Sequence, residues 1–171
     1  MIGATCAIPG RTSVGWPDPH HSADPRPSRF RRVPARVIVE APSHLGLRAA
    51  GVEALPEALL AAGLAERLGA RRGTRLATPA FDPTIDAGTG LLNPHGLGDH
   101  ASRLANAVGA VLDHGAFPIV LGGDCTILLG ITLALRRRGR SGLLFLDGHA
   151  DFYQPEAEPT GEAASRTGGK S

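Results

Sequence analysis

The apolar residues of this chain recur in short runs that suit strands and in longer stretches with the spacing of helices. Residues 37–42 read VIVEAP, a β-branched run that ends at a proline and predicts a first strand. Two further apolar runs, 117–123 (FPIVLGG) and 143–147 (LLFLD), also predict strands. The apolar runs do not alternate with polar residues, which indicates a sheet covered on both faces.

Three stretches between these runs predict helices. The leucines of residues 55–64 have helical spacing, with Pro56 suited to the first turn and Gly69 to the end. Residues 99–115 carry a single apolar stripe, and residues 126–140 predict a third helix with arginines in its last turn. The final succession of strand, helix and strand predicts a right-handed βαβ unit with parallel strands.

The composition divides the chain into three parts. Residues 1–36 contain six prolines and six arginines and follow neither period, so we expect them to be a disordered extension. Residues 37–165 carry the predicted elements and form the expected α/β domain. Within it, residues 74–94 are rich in turn formers, with one short strand near 75–77. Residues 166–171 (RTGGKS) are small and polar, and we expect a disordered tail.

The formal net charge of +2 is unevenly spread along the sequence. The first 36 residues carry +4 and the remainder −2, and arginine supplies 17 of the 18 basic residues. This pattern indicates a compositional bias, since no aromatic interleaving supports an RNA-binding surface. We therefore expect no nucleic-acid partner.

Other features argue against a membrane partner. No apolar run approaches the roughly 18 residues that cross a bilayer, and the start of the chain lacks the pattern of a signal peptide. The two cysteines, Cys6 and Cys125, lie far apart in different contexts, so a structural disulfide is not expected. We expect a cytoplasmic location.

Polar residues directly follow two of the predicted strands, in the segments 122-GGDC-125 and 147-DGHAD-151. Ligands bind beyond the carboxyl ends of strands in a parallel sheet, so we expect these segments to meet. If the second segment stays extended, Asp147, His149 and Asp151 point to one side. Each alone fits a helix cap or an ordinary histidine, but three such donors after a buried strand favour a metal site. Carboxylates with an imidazole suit Mn²⁺.

Together these motifs resemble the ureohydrolase superfamily, which includes arginase, agmatinase and formimidoylglutamase. In that family the first motif reads GGDH and the second DAHxD, and the segment 46-GLRAAGVEALPEAL-59 is weakly similar to its N-terminal region. The resemblance covers about residues 37–165. It implies a three-layer α/β/α fold around a parallel sheet. It also implies a two-manganese centre that activates a hydroxide to attack the carbon of a small guanidino or amidino substrate.

The resemblance implies roles for single residues. Asp147 resembles the carboxylate that bridges both metal ions, and His149 resembles a ligand of one of them. Asp151 resembles a ligand of the other ion and a catalytic residue that accepts a hydrogen bond from the attacking hydroxide. Asp124 resembles an acid that supports the ligand of the first motif.

Cys125 stands where the family's GGDH motif has a histidine. A cysteine thiolate can bind a metal ion, but it favours softer ions than Mn²⁺ and must first lose a proton. On this interpretation the site has a different metal preference, or one metal position is weakly occupied. Alternatively, Cys125 is a small buried residue at a helix start.

Further departures follow the second motif. The segment after Asp151 has neither the histidine nor the asparagine of arginases, so classical arginase specificity is not expected. Glu156, Glu158 and Glu162 either meet a cationic substrate or lie on a solvated loop. The family's S-x-D-x-D motif is absent, so we expect a premature end or a frame-shifted tail, a sheet incomplete at the C-terminus, and little or no activity.

Three other histidines could be considered as ligands. His95 lies in a predicted loop that could face the site, whereas His100 and His114 are expected at helix ends on the surface. No G-x-S-x-G motif indicates a serine hydrolase, and no phosphate-binding glycine pattern is complete.

The functional hypothesis is therefore a manganese-dependent hydrolase of C–N bonds in a guanidino or amidino compound, of which this chain is a truncated form. The alternative is a non-catalytic metal-binding or assembly module derived from the same family. An incomplete sheet predicts an exposed apolar edge and self-association, and a homo-oligomer is one form this could take.

Overall fold

The computed structural model describes residues 33–48, 51–77, 79–144, 146, 151 and 159–166. Its helices and strands, in chain order, are β1 (Arg36–Ala41), α1 (Leu55–Ala61), α2 (Leu64–Leu68), β2 (Ala70–Arg75), α3 (Pro94–Asp113), β3 (Phe117–Gly122) and α4 (Ile127–Arg136). Two short 3₁₀ helices, Val52–Ala54 and Ala163–Arg166, complete the described elements. Most of the predicted extension and tail, residues 1–32 and 167–171, lies outside the described residues.

The three strands form one parallel sheet in the order β2–β1–β3. β1 and β3 pair without a break from Arg36 opposite Phe117 to Ala41 opposite Gly122. Every residue of β1 after Arg36 is buried, as expected for a central strand covered on both faces. The predicted α/β class with a parallel sheet is confirmed.

Successive residues of β1 face opposite helical layers. Val39 and Ala41 pack into one apolar cluster with Leu104 of α3 and Ile131 of α4. Ile38 packs into a second cluster, which includes Ala65 of α2 and leucines of α1. Burial of apolar surface on both sides stabilises β1 in the middle of the molecule, and the three-layer α/β/α arrangement follows from it.

The single helix predicted over residues 55–69 is in fact two helices. Gly63 adopts a φ of 82°, a left-handed conformation that glycine tolerates and that separates α1 from α2. α3 also begins five residues earlier than the predicted start at residue 99. Asn93, immediately before it, accepts a hydrogen bond from the N–H of Asp82 and donates one to the carbonyl of Leu45. These partners are distant in sequence, so spacing alone does not reveal them.

The short strand predicted near residues 75–77 is instead β2, which begins five residues earlier. Its residues are largely exposed and have no apolar period, so pairing with β1 rather than burial defines it. Its arginines Arg72 and Arg75 reach the buried carboxylate of Glu40 at 2.9 and 2.7 Å. Burial by itself raises the pKa of Glu40, but hydrogen bonds and charges from these arginines outweigh it and hold the pKa below its usual value.

The strand predicted over residues 143–147 is not formed by those of its residues that the structure describes. Leu143, Leu144 and Leu146 lie outside any strand and are 51%, 63% and 68% exposed. An apolar run is held as a buried strand only where neighbours cover it on both faces, and these side chains lack that cover. The βαβ prediction is therefore wrong for this part, although its first two elements are formed as β3 and α4.

Candidate functional site

A cavity of about 770 Å³ lies at the carboxyl end of β3. Its polar lining residues are Asp124, Cys125, Asp151 and Ser165. Its other lining residues are apolar or glycine, namely Leu47, Gly51, Val52, Ala54, Leu55, Ala58, Gly123 and Ala164. The fold therefore brings the end of the first predicted motif and the last residue of the second to one cavity, at the edge where parallel sheets bind ligands.

Asp124 is buried and uses both carboxylate oxygens within the chain. Its Oδ2 accepts a hydrogen bond from the N–H of Gly46 at 3.1 Å. Its Oδ1 accepts one from the N–H of Thr126 at 2.8 Å and another from the hydroxyl of Thr126. These bonds fix the turn that leads into α4 and join it to the loop after β1. Asp124 therefore positions its neighbours.

Gly123 permits a close approach of two backbone segments beside the cavity. The N–H of Asp124 donates to the carbonyl of Ser43 at 3.2 Å, and a Cβ on Gly123 would overlap that carbonyl. Ser43 is itself fully buried, and its hydroxyl accepts a hydrogen bond from the N–H of Leu45. The second glycine of the GGDC motif is thus required by packing of the backbone.

Cys125 is 8% exposed and lies between the end of β3 and the first residue of α4. Its carbonyl accepts a hydrogen bond from the N–H of Leu128 at 3.0 Å, so it belongs to the start of the helical turn. The partial positive charge at a helix N-terminus favours a negatively charged group at this point. Both sequence interpretations, a small buried residue and a metal ligand, fit this position.

Asp151 reaches the cavity from the second motif. It is 9% exposed, and its Oδ2 is buried with no hydrogen-bond partner within the ranges that the structure describes. Its φ of 51° is left-handed, a conformation that costs a non-glycine residue roughly 1–2 kcal/mol. A buried carboxylate oxygen without a partner is unfavourable unless a cation or a donor meets it. This atom therefore has the surroundings of a cation ligand.

Asp147 and His149, predicted with Asp151 as metal ligands, lie outside the described residues. Within the described ranges, no group of three or more His, Cys, Asp or Glu side chains is arranged to hold a metal ion. The structure brings only Cys125 and Asp151, with Asp124 behind them, to the same cavity. The fit of a metal rests on the oxygen of Asp151 and on the thiol that lines the cavity with it.

Residues 159–166 pack against the loop after β1. The guanidinium group of Arg48 donates two hydrogen bonds to the carbonyl of Thr160, at 3.1 and 2.8 Å. The N–H of Arg48 donates to Oε1 of Glu162 at 2.8 Å. The carboxylate of Glu162 is therefore engaged by the chain itself, and it is not part of the cavity lining. Glu156 and Glu158 lie outside the described residues.

Two of the three histidines considered above differ from their predicted environments. His95 is the second residue of α3 and is exposed, so it neither lies in a loop nor lines the cavity. His114 is exposed at the end of α3, as predicted. His100 was expected on the surface but is only 3% exposed. The earlier start of α3 puts it in the second turn of the helix, on the side that faces the core.

Burial is the main influence on the titration of His100. It lowers the pKa of the imidazole, and the nearby charge of Arg103 lowers it further. The carboxylate of Asp124 and the carbonyl of Ala41 oppose this shift without cancelling it. Neither ring nitrogen makes a hydrogen bond of ordinary geometry to the described part of the chain. His100 is therefore a neutral, buried ring close to the acid that positions the first motif.

Sequence reasoning missed three features of this region, namely the burial of His100, the cap made by Thr126 and the apolar wall of the cavity. A signal for the first exists, because His100 precedes Leu104 by one helical repeat and so continues the apolar stripe. Thr126 follows Asp124 by two residues, a spacing typical of local capping bonds. The wall has no such signal, since its residues come from separate loops and helices.

This three-layer fold, with a partly polar cavity at the edge of a parallel sheet, defines an α/β protein that binds a ligand beyond its strand ends. None of the helices among the described residues has the length and apolar character required to cross a bilayer. Residues 35–166 match the model of the Arginase family. The matched region is most of the chain, and the protein belongs to the arginase family.

Individual relatives agree with this assignment. An arginase of Staphylococcus aureus (strain COL) is 30% identical over 132 residues, which are 72% of this chain and 44% of the relative. The crystal structure of arginase from Bacillus subtilis strain 168 has a TM-score of 0.64 at 26% identity, over 78% of this chain and 45% of that one. Arginase from Bacillus caldovelox has a TM-score of 0.63 at 26% identity, over 78% and 47% respectively. The chain spans less than half the length of these relatives.

Proposed function

We propose that this chain is part of a manganese-dependent ureohydrolase, which hydrolyses a C–N bond of a guanidino or amidino compound. Membership of the arginase family over residues 35–166 supports the reaction class. The observation that carries the proposal is the Oδ2 of Asp151, which is buried in the cavity without a partner among the described residues. Such an oxygen is suited to a cation.

We assign the metal centre to Asp147, His149, Asp151 and Cys125. When bound, the metal supplies a Lewis acid that makes water nucleophilic near neutral pH. Asp151 would accept a hydrogen bond from the attacking water and hold it in line with the substrate carbon. Asp124 would keep Cys125 in place through its bonds to the turn before α4.

The apolar part of the cavity lining indicates what surrounds the reacting group. Leu47, Val52 and Leu55 exclude water from one side of the site and strengthen its electrostatic interactions. The segment after Asp151 lacks the histidine and asparagine expected of an arginase, so we propose a substrate other than arginine, as in an agmatinase-like enzyme. We also propose a cytoplasmic protein, with no nucleic-acid or membrane partner, that can form a homo-oligomer.

The proposal is tested by measuring metal content and urea release after incubation with Mn²⁺, over a panel of guanidino compounds that includes arginine and agmatine. We expect stoichiometric metal and turnover of at least one compound. Asp151→Asn should lower the rate by about 100-fold or more, because it removes a group that acts on the proton of water. Asp99→Asn changes an exposed carboxylate of α3 outside the cavity lining and is the matched control, with an unchanged rate.

The alternative is a non-catalytic metal-binding or assembly module. Two observations favour it, namely the cysteine in the GGDC motif and the span of less than half of the related arginases. Bound metal without turnover of any compound would support this module and reject the hydrolase. Turnover that Asp151→Asn leaves intact would reject the assigned role of Asp151.

A further inference from the structure

The donors that face the cavity are few, and one of them is sulfur. Cys125 lines the cavity directly before α4 and is 8% exposed. Asp151 lines the same cavity and presents a buried Oδ2 that no described donor satisfies. The two side chains come from opposite ends of the α4 region of the sequence, so only the fold brings them to one space. A buried, unpaired carboxylate oxygen beside a cysteine-lined wall points to a bound cation.

The third acid of the cavity is not free to join them. Both oxygens of Asp124 accept hydrogen bonds, Oδ2 from Gly46 and Oδ1 from Thr126. Binding a cation through Asp124 would break the bonds that hold the turn before α4. Among the described lining residues, the charged or ionisable donors left for a cation are therefore Cys125 and Asp151.

The rest of the described lining offers little competition from hard ligands. Ser165 is its one neutral side chain with a hydroxyl, and the remaining residues are aliphatic or glycine. Hard ions such as Mn²⁺ prefer carboxylate, carbonyl and water oxygens, whereas thiolate selects softer ions such as Zn²⁺. The balance of one sulfur and one carboxylate in an apolar wall therefore shifts the preference away from Mn²⁺.

We propose that this cavity binds a thiophilic divalent cation of the Zn²⁺ class between Sγ of Cys125 and Oδ2 of Asp151, and that Cys125 makes the site discriminate against Mn²⁺. The thiol proton passes to solvent as the metal–sulfur bond forms. The inference rests on the metal-binding part of the proposed function and is independent of whether hydrolysis occurs.

Cobalt(II) is the probe, because a cobalt–thiolate bond gives a charge-transfer absorption band in the near ultraviolet. The full 171-residue chain, reduced and freed of metal, is titrated with Co²⁺ in the absence of oxygen. We expect the band to saturate at one equivalent. Equimolar Zn²⁺ should abolish it by displacement, whereas a large excess of Mn²⁺ should leave it intact. Absence of the band, or displacement by Mn²⁺ as readily as by Zn²⁺, overturns the proposal.

Variants identify the ligands. Cys125→Ser should lose the band and weaken Co²⁺ binding by more than about 10-fold, since even the loss of an outer partner of a metal ligand costs 10–100-fold. Cys6→Ser removes the other cysteine of the chain and is the matched control, with the band retained. Asp151→Asn should keep the band at saturation but require a higher Co²⁺ concentration. A band that survives Cys125→Ser, or an unchanged affinity in Asp151→Asn, overturns the assignment.

A variant with histidine at position 125 tests selectivity separately from folding. Cys125→His should lose the thiolate band, still bind metal, and show a smaller preference for Zn²⁺ over Mn²⁺ in competition. An unchanged preference overturns the role of sulfur. The outcomes also separate the two proposals. A thiolate band without turnover of any guanidino compound rejects only the hydrolase, whereas Mn²⁺-dependent urea release without the band rejects only the thiophilic site.

Discussion

Two buried ionisable side chains, Glu40 and His100, meet the cost of burial in opposite ways. Glu40 stays charged, because Arg72 and Arg75 reach it from the edge strand and lower its pKa. His100 has no comparable partner among the described residues, and burial keeps it neutral. A residue of the same chemical class can thus be stabilised in its charged or its neutral form by its neighbours alone.

The neutral state of His100 predicts a loss of stability in mild acid. Its folded-state pKa lies below that of the unfolded chain, so the unfolded chain takes up the proton first as the pH falls. Its contribution to stability is therefore greatest above the ordinary histidine pKa of about 6.5. It decreases as the pH falls through that value towards the folded-state pKa, with a slope of at most about 1.4 kcal/mol per pH unit.

His100→Phe keeps a ring of similar size and removes the titration, so its free energy of unfolding should depend less on pH between neutrality and pH ~5. Urea denaturation at several pH values measures this. His95→Gln changes an exposed histidine of the same helix and should keep the slope of the parent chain. A slope equal to the parent's in His100→Phe would show that His100 is not the responsible group.

At the scale of elements, the packing of α3 on α4 depends on a glycine. A Cβ on Gly130 of α4 would lie 2.8 Å from Cβ of Leu104 and 2.9 Å from the carbonyl oxygen of Ala101. Both neighbours belong to α3, and neither is the far end of a flexible side chain. The two helices therefore approach more closely than any larger residue at this position would permit.

Gly130→Ala should lower the free energy of unfolding by about 1–3 kcal/mol, the usual cost of overpacking, although alanine is the better helix former. Gly98→Ala places the same methyl group on the open surface of α3, where nothing lies within 4 Å. It should be neutral or stabilise by up to ~1 kcal/mol. Equal effects of the two changes in urea denaturation would contradict the close approach.

At the scale of the whole molecule, the C-terminal side of the described fold exposes apolar surface. Leu143, Leu144 and Leu146 are more than half exposed and lie within four residues of one another. Side chains of this kind, grouped together, favour association with another surface. The self-association expected from the sequence therefore has a defined location.

Replacing these three leucines with serine should reduce self-association, because it removes most of the exposed apolar surface of this segment. Sedimentation velocity over a range of concentrations measures the result, and the weight-average mass should fall towards that of one 17.7 kDa chain. Val33→Ser alters a single exposed apolar residue at the other end of the described chain and is the control. Association that is unaffected by the triple change would place the contact elsewhere.

The degree of success of sequence reasoning depended on where each element's stabilising contacts lie. β1, β3 and α4 were found because their own apolar residues are the contacts that bury them. β2 was misplaced, since its largely exposed residues hold their position by pairing with β1. The break at Gly63 and the early start of α3 depend on backbone geometry and on partners distant in sequence.

The same distinction applies to the candidate site. The GGDC and DGHAD motifs were recognisable from residue types and spacing, and their position after strands predicted an edge of a parallel sheet. The spent oxygens of Asp124 and the unpaired oxygen of Asp151 depend on Gly46, on Thr126 and on the shape of the cavity. No pattern in the sequence records which carboxylate is already satisfied.

The sequence by itself determined the α/β class, the parallel sheet, the membership of the ureohydrolase group and the cysteine in the first motif. These follow from local periodicity and from chemical identity, which are properties of neighbouring residues. The tertiary structure alone decided that His100 is buried, that Leu143, Leu144 and Leu146 are exposed, and that Cys125 and Asp151 share a cavity. Burial, pairing and proximity arise from residues far apart in the chain, so they exist only after it has folded.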